Sequence, residues 1–197
     1  DYAKELKITC FSSPFDKTAV ELLENLNCPA YKIASFEIID HPLIEEVAKT
    51  GKPILMSTGA ASENEIQEAL ELARSFGAKD ILLFHCISAY PALLEDSGLL
   101  AIEYLKNKYD VEVGLSDHTI GPQAGIIAAS LGAVAIEKHF TLNRSDGGPD
   151  SSFSMEPKEF KEMSAQLDLT VKALGKNTLS RSQSEKQSRS IRKSIYF

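Results

Sequence analysis

The sequence predicts an α/β fold built on a parallel sheet, and within that class an incomplete (β/α)8 TIM barrel. Three observations carry this reading. Short apolar runs of β type alternate with helical patterns along most of the chain. The later runs place small or polar residues on one face and bulky residues on the other. Polar residues gather at the C-terminal ends of the runs, the end at which barrels place their function.

The strand-like runs cover 7–11, 30–34, 53–57, 81–86, 111–115 and 133–138. Helical patterns fall between and after them, at 17–25, 41–50, 63–76, 99–108, 122–131 and 157–174. In the third helix, Ile66, Leu70 and Ala73 form one apolar face with Ala69 beside it. Ser62 ahead of Glu63 and Glu65 is a capping arrangement, and Glu156-Pro157 opens the last helix. Gly51, Gly77 and Gly175 stand where helices should stop. Six units cannot close an eight-stranded barrel, so two strands are expected before residue 1. The opening Asp1-Tyr-Ala-Lys reads as the end of a helix, as expected of a fragment. The barrel portion is placed at 1–175. Residues 176–197, rich in serine, lysine and arginine, read as a linker, mobile or extended between 180 and 192, toward a further domain.

Face assignment separates the barrel from an open doubly wound sheet. Gly114, Ser116 and His118 share one face, opposite Val111, Val113 and Leu115. Ala133, Ala135, Glu137 and His139 likewise oppose Val134, Ile136 and Lys138. A bulky face packs on helices, and a small face turning polar lines a barrel interior. No GxGxxG or GxxxxGK[ST] follows any strand, which argues against the nucleotide-binding form of the open sheet.

A net charge of -7 argues against binding to nucleic acid or an anionic membrane, and leaves room for a local basic pocket of the kind a phosphate ligand needs. No apolar run reaches spanning length. Three cysteines without a CxxC pattern read as reduced thiols of a cytoplasmic protein.

GLSDHT (114–119) and EKHFT (137–141) each carry a histidine at a strand end. Neighbouring parallel strands lie about 4.8 Å apart, so His118 and His139 can share one metal ion. Ser13, Ser35, Ser57, Ser88 and Ser116 would ring the same mouth with Lys32, a donor set suited to a phosphate or carboxylate. Strict alternation puts Lys32 and Ser35 on opposite faces, so the strand must end or bulge near Ala34.

KIASFE, LMSTG, HCISAYP, GLSDHT, EKHFT and GGPDSSFSMEP, in this order, resemble the sialic acid synthase family, and most of all its pseudaminic acid branch. The likeness covers essentially the whole chain. It implies a (β/α)8 barrel that condenses phosphoenolpyruvate with an open-chain amino sugar, expected to be a 2,4-diacetamido-2,4,6-trideoxyhexose, to give a nonulosonic acid and phosphate. It implies a divalent metal, Mn2+ or Mg2+, on His118 and His139. It gives Lys32, Ser13, Ser35, Ser57 and Ser116 to phosphoenolpyruvate, with Ser88 where some relatives have asparagine. Glu37, Tyr90 and Asp150 would face the acceptor sugar, Glu137 would sit beside the metal site, and either Glu137 or a glutamate of the family's opening motif would handle the attacking water. A C-terminal antifreeze-like domain would cap the partner subunit's site in a homodimer.

Two other readings stay open. One is an aldolase of the same fold acting through a lysine Schiff base; Lys138 faces the helices by alternation, which leaves Lys32. The other is a non-catalytic carbohydrate-binding module.

Overall fold

A computed structural model describes residues 2–179 and 182–190. Its sheet holds five strands, all parallel and in consecutive order: β1 (Tyr31–Ile33), β2 (Ile54–Ser57), β3 (Ile81–Cys86), β4 (Glu112–Asp117) and β5 (Ile136–Lys138). The helices are α1 (Tyr2–Glu5), α2 (Lys17–Asn25), α3 (His41–Lys49), α4 (Glu63–Ser75), α5 (Ala101–Tyr109), α6 (Gln123–Ser130), α7 (Pro157–Leu174) and α8 (Gln183–Ser190). One helix separates each strand from the next, as parallel pairing of sequential strands requires. The result is part of a (β/α)8 barrel, five strands of the eight.

Local chemistry sets the helix boundaries. Asp16 accepts the backbone N–H of Ala19 at 2.8 Å and starts α2; Asp40 accepts that of Leu43 at 3.1 Å and starts α3. Ser62 and Glu65 form the expected reciprocal capping box at α4. Glu156 and Glu159 form another at α7, with Pro157 in its first turn. Gly51, Gly77 and Gly175 all adopt positive φ after their helices, where a side chain would be strained.

Register assigns the two faces of the sheet. Cross-strand partners point the same way, so Lys32, Leu55, Ser57, Phe84, Cys86, Gly114, Ser116 and Glu137 share the inner face. The outer face carries Tyr31, Ile33, Ile54, Met56, Leu83 and Val113, each 0% exposed. They pack on Ile44 and Val47 of α3, Ala69, Leu70 and Ala73 of α4, and Ile102 of α5 in one core. At roughly 1.5–3 kcal/mol per fully buried large apolar side chain, this outer layer is what holds helices to sheet. Inside, Phe84 lies against Gly114: a Cβ on Gly114 would sit 2.7 Å from the Phe84 ring and 2.7 Å from the Ala135 carbonyl. Glycine here gives a large ring room to fill the interior below the polar strand ends.

Two expectations need correction. The run at 7–11 is not a strand. Lys7 takes a left-handed φ of 57°, and only Ser12 joins the sheet, by one parallel bridge to Tyr31. Among the described residues no further strand pairs with this run, and propensity without pairing does not make a strand. The tail is not an extended path throughout, for α8 occupies Gln183–Ser190. Its start is a capping pair: the Ser182 N–H donates to Glu185 at 3.1 Å, and the Glu185 N–H donates to Ser182 at 3.3 Å. The rest of the expected linker, 180, 181 and 191–197, lies outside the described residues.

Candidate active site

The C-terminal ends of the strands carry the polar inner residues, and their separate positions in sequence converge there. Lys32 leaves β1 one residue before its end and is 8% exposed. The strand stops at Ile33 and a 3-10 helix, Ser35–Ile39, begins at once, which lets Lys32 and Ser35 both turn toward the mouth. Lys32 Nζ donates to both carboxylate oxygens of Glu137, at 2.8 Å each, across the sheet interior. Ser116 Oγ donates to Glu137 Oε1 at 2.7 Å, and the Lys32 ammonium lies 5.1 Å from the centre of the Phe84 ring. Burial opposes the charged form of Glu137, but the Lys32 charge, the Lys32 and Ser116 hydrogen bonds and His118 outweigh it. Its carboxyl is held below the usual range.

His118 and His139 follow the last residues of β4 and β5 and face each other, ring centres 5.2 Å apart. His118 Nδ1 lies 2.9 Å from the Ile87 carbonyl. A carbonyl only accepts, so Nδ1 carries a proton, and in the neutral ring the lone pair is on Nε2. Burial disfavours the charge on His118, yet Cys86, the Ile87 carbonyl and Glu137 raise its pKa. Burial, then the neighbouring His118, lower that of His139 toward the neutral imidazole, against the pull of Asp150. His139 Nδ1 is 3.5 Å from Asp150 Oδ2, and Tyr90 stacks 4.2 Å from His118 and 5.9 Å from His139. Among the described residues, no three His, Cys, Asp or Glu side chains converge as a ready-made ligand set.

Beside this lies a ring of hydroxyls. A Cβ on Gly59 would lie 2.1 Å from Ser88 Oγ, 2.7 Å from Ser35 Oγ and 3.2 Å from Cys86 Sγ, so these three side chains close on the bare backbone of Gly59. Ser35 donates to Cys86 at 3.6 Å. The Ser57 and Ser88 hydroxyls are buried without a hydrogen-bond partner. The Thr119 hydroxyl shares this state, and unpaired buried hydroxyls cost stability.

Of the residues expected at the mouth, Lys32, Ser116 and Glu137 form one hydrogen-bonded group, Tyr90, His118, His139 and Asp150 a second in contact through rings and an ion pair, and Ser35 and Ser88 close on Gly59. Ser57 shares their face at the end of β2. No side-chain hydrogen bond joins Ser13 or Glu37 to the group among the described residues. Lys138 points away, buried against Asp117, as alternation required. Sequence reasoning missed Gly59, Cys86, Phe84 and the Ile87 carbonyl. LMSTG contained a signal for Gly59; the others become visible only when the strands are in register.

A barrel with this polar C-terminal mouth belongs to the class of (β/α)8 proteins that build their sites from strand ends. Residues 1–178 match the NeuB family model, and the chain belongs to that family. It is 51% identical to the pseudaminic acid synthase of Helicobacter pylori over 175 residues, 89% of this chain and 52% of that protein. Identity to the N,N'-diacetyllegionaminic acid synthase of Campylobacter jejuni is 41% over 197 residues, 98% of this chain and 59% of that protein. The crystal structure of an N-acetylneuraminic acid (sialic acid) synthetase from Leptospira borgpetersenii, in complex with citrate, superposes with a TM-score of 0.91 at 34% identity, covering 96% of this chain and 66% of that one. The chain thus spans little more than half the length of these curated relatives.

Proposed function

We propose that this chain forms the core of a synthase that condenses phosphoenolpyruvate with the open-chain aldehyde of an amino sugar, giving a nonulosonic acid and phosphate. The observation that carries the reading is the meeting of Lys32, held by Glu137, with the unpartnered hydroxyls and two facing imidazoles at one mouth. Family membership supports it, since the relatives named above are synthases of such acids.

Each residue type suits one part of the chemistry. Lys32 neutralises the phosphate or carboxylate of phosphoenolpyruvate, and Ser13, Ser35, Ser57 and Ser88 donate hydrogen bonds to it, while Ser116, whose one proton goes to Glu137, holds that carboxylate beside it. The methylene carbon of phosphoenolpyruvate bonds to the aldehyde carbon, and C2 becomes electron-poor. Glu137, kept ionised by Lys32 and Ser116, stabilises that charge and orients the water that adds to C2, after which the C–O bond to phosphate breaks. Tyr90, Asp150 and Glu37 face the acceptor, which we take to be a 2,4-diacetamido-2,4,6-trideoxyhexose.

The imidazoles suit a divalent metal. With Nδ1 turned to the Ile87 carbonyl, His118 would offer Nε2 as ligand in its neutral form, and the surroundings of His139 favour its neutral form. Mn2+ or Mg2+ held there supplies Lewis acidity to the aldehyde oxygen. A homodimer in which the partner's C-terminal domain caps the mouth, with residues 176–197 as linker, belongs to the same reading. Three free cysteines support a cytoplasmic location, and among the described residues no helix is long and apolar enough to cross a membrane.

Phosphate release from phosphoenolpyruvate with a panel of hexosamine acceptors tests this. Release should depend on the acceptor, stop with EDTA and return with Mn2+. A borohydride-trapped adduct on Lys32, formed without metal, would favour the aldolase instead.

A further inference from the structure

We propose that Asp117 and Lys138 are positioning residues whose buried ion pair fixes the separation and orientation of His118 and His139. The inference rests on the reading of those histidines as a shared ligand pair.

Asp117 and Lys138 are the last registered partners of β4 and β5, and each histidine is the next residue along its strand. Alternation sends the two imidazoles into the barrel and the ion pair to the outer face. Lys138 Nζ meets Asp117 Oδ2 at 2.7 Å, with both side chains 1% exposed. The remaining bonds close on the segment that carries His118. Asp117 Oδ1 accepts the Thr119 N–H at 2.8 Å, and Lys138 Nζ also donates to the Thr119 carbonyl. The backbone on both sides of His118 is therefore tied to the strand that carries His139. Each histidine carbonyl is held as well: that of His118 accepts the Ala92 N–H at 3.0 Å, and that of His139 accepts the Met155 N–H at 2.8 Å.

Stability alone does not account for this pair. Elsewhere the outer face is apolar apart from His85, whose Nε2 lies 2.6 Å from the Ser97 carbonyl, with Ile33, Met56, Leu83 and Leu115 all buried. In every other ion pair among the described residues at least one side chain is 39% exposed or more. A buried ion pair is commonly no better for stability than apolar side chains of similar volume, because desolvation cancels its attraction. What it adds is direction. Three hydrogen bonds among five atoms on two adjacent strand ends restrict twist and register in a way that two packed methylene chains would not. The pair stands on the rung nearest the histidines, where a small rotation would swing both rings.

The test compares wild-type full chain with Lys138→Met, the double variant D117N/K138M, and His118→Ala as a control. The double variant leaves no buried charge unpaired, so it should fold even if Lys138→Met does not. Mn2+ is the probe, its dissociation constant read from the electron paramagnetic resonance of the free ion. Removal of groups that orient metal ligands typically weakens affinity by roughly 10–100-fold. The double variant should bind Mn2+ about tenfold more weakly or worse, with a melting temperature near wild type and less than about a twofold change in KM for phosphoenolpyruvate. Wild-type Mn2+ affinity in the double variant, with His118→Ala still losing the ion, would overturn the positioning role and leave the ligand reading standing. Failure of wild type to bind Mn2+, or retention of binding by His118→Ala, would take down both. Failure of the double variant to fold would show that the pair serves folding, and would overturn the proposal as well.

Discussion

The two faces of one sheet follow opposite rules. On the outer face, Ile33, Ile54, Met56, Leu83 and Val113 are fully buried against helices. On the inner face, a few residues nearer the mouth, Lys32, Ser57, Ser88, Ser116 and Glu137 crowd together, and two of their hydroxyls have no partner. The outer face has spent its free energy on holding the fold. The inner face holds polar groups in place at a cost, and that cost is recovered only when a ligand supplies the missing bonds. Changes to the outer face should thus lower stability and spare the site, whereas inner changes should do the reverse.

The largest expected effect lies outside. Leu83→Ala should cost about 2–5 kcal/mol, because it leaves a cavity between β3 and the helices. Denaturant unfolding should show the loss, while the folded enzyme keeps its KM for phosphoenolpyruvate. A raised KM without loss of stability would break the comparison. Next, Lys32→Met keeps the length of the side chain and removes its charge. Charge-assisted hydrogen bonds contribute roughly 1.5–3 kcal/mol, so the KM for phosphoenolpyruvate should rise about tenfold to a hundredfold. Reduced turnover with an unchanged KM would favour the aldolase reading.

Smaller effects sharpen the contrast. Ser57→Ala and Ser88→Ala each remove a buried hydroxyl that has no partner. Stability should hold or rise slightly, while phosphoenolpyruvate binding weakens by about 0.5–1.5 kcal/mol, roughly two- to tenfold. A melting temperature that falls with no kinetic change would mean these hydroxyls serve packing.

The smallest effect belongs to Glu24, which accepts hydrogen bonds from Lys52 and Tyr31, both at 2.5 Å, behind β1. The bonds from Lys52 and Tyr31 hold its carboxyl below the ordinary range in the folded chain. A depressed carboxyl stabilises the fold above its unfolded pKa, and that contribution disappears as pH falls through the folded value. Glu24→Gln should therefore be less stable than wild type by only about 0.2–1 kcal/mol at neutral pH, given its exposure, and the gap should close in acid. A gap that widens as pH falls would contradict the assignment.

Much of this was legible in the sequence because the signals are local. Helices α2 and α7 begin and end at the predicted residues, and Asp16, Ser62, Glu156 and the three helix-stopping glycines act as their chemistry dictates. Strand alternation put His118 and His139 on one face and Lys138 on the other before any contact was known. What was not legible depends on partners. The run at 7–11 has strand composition but, among the described residues, no further strand pairs with it. Charge and polarity concealed the Ser182–Glu185 cap that starts α8. The fit of Phe84 over Gly114, and of Ser35, Ser88 and Cys86 around Gly59, needs strands aligned in space. Ser13 and Glu37 carry the motif's residue types, yet neither has a hydrogen bond into the cluster.

The central claim is that the inner mouth, and His118 and His139 above all, does chemistry rather than packing. The direct measurement is Mn2+-dependent phosphate release from phosphoenolpyruvate by His118→Ala and His139→Ala, with melting temperatures recorded alongside. Each ring is placed by a strand end, so melting should shift by only a few degrees, on the order of 1 kcal/mol. Turnover should fall by at least about a hundredfold, since ligands should matter more than the groups that orient them. Near-normal, EDTA-sensitive turnover in either variant would contradict the account.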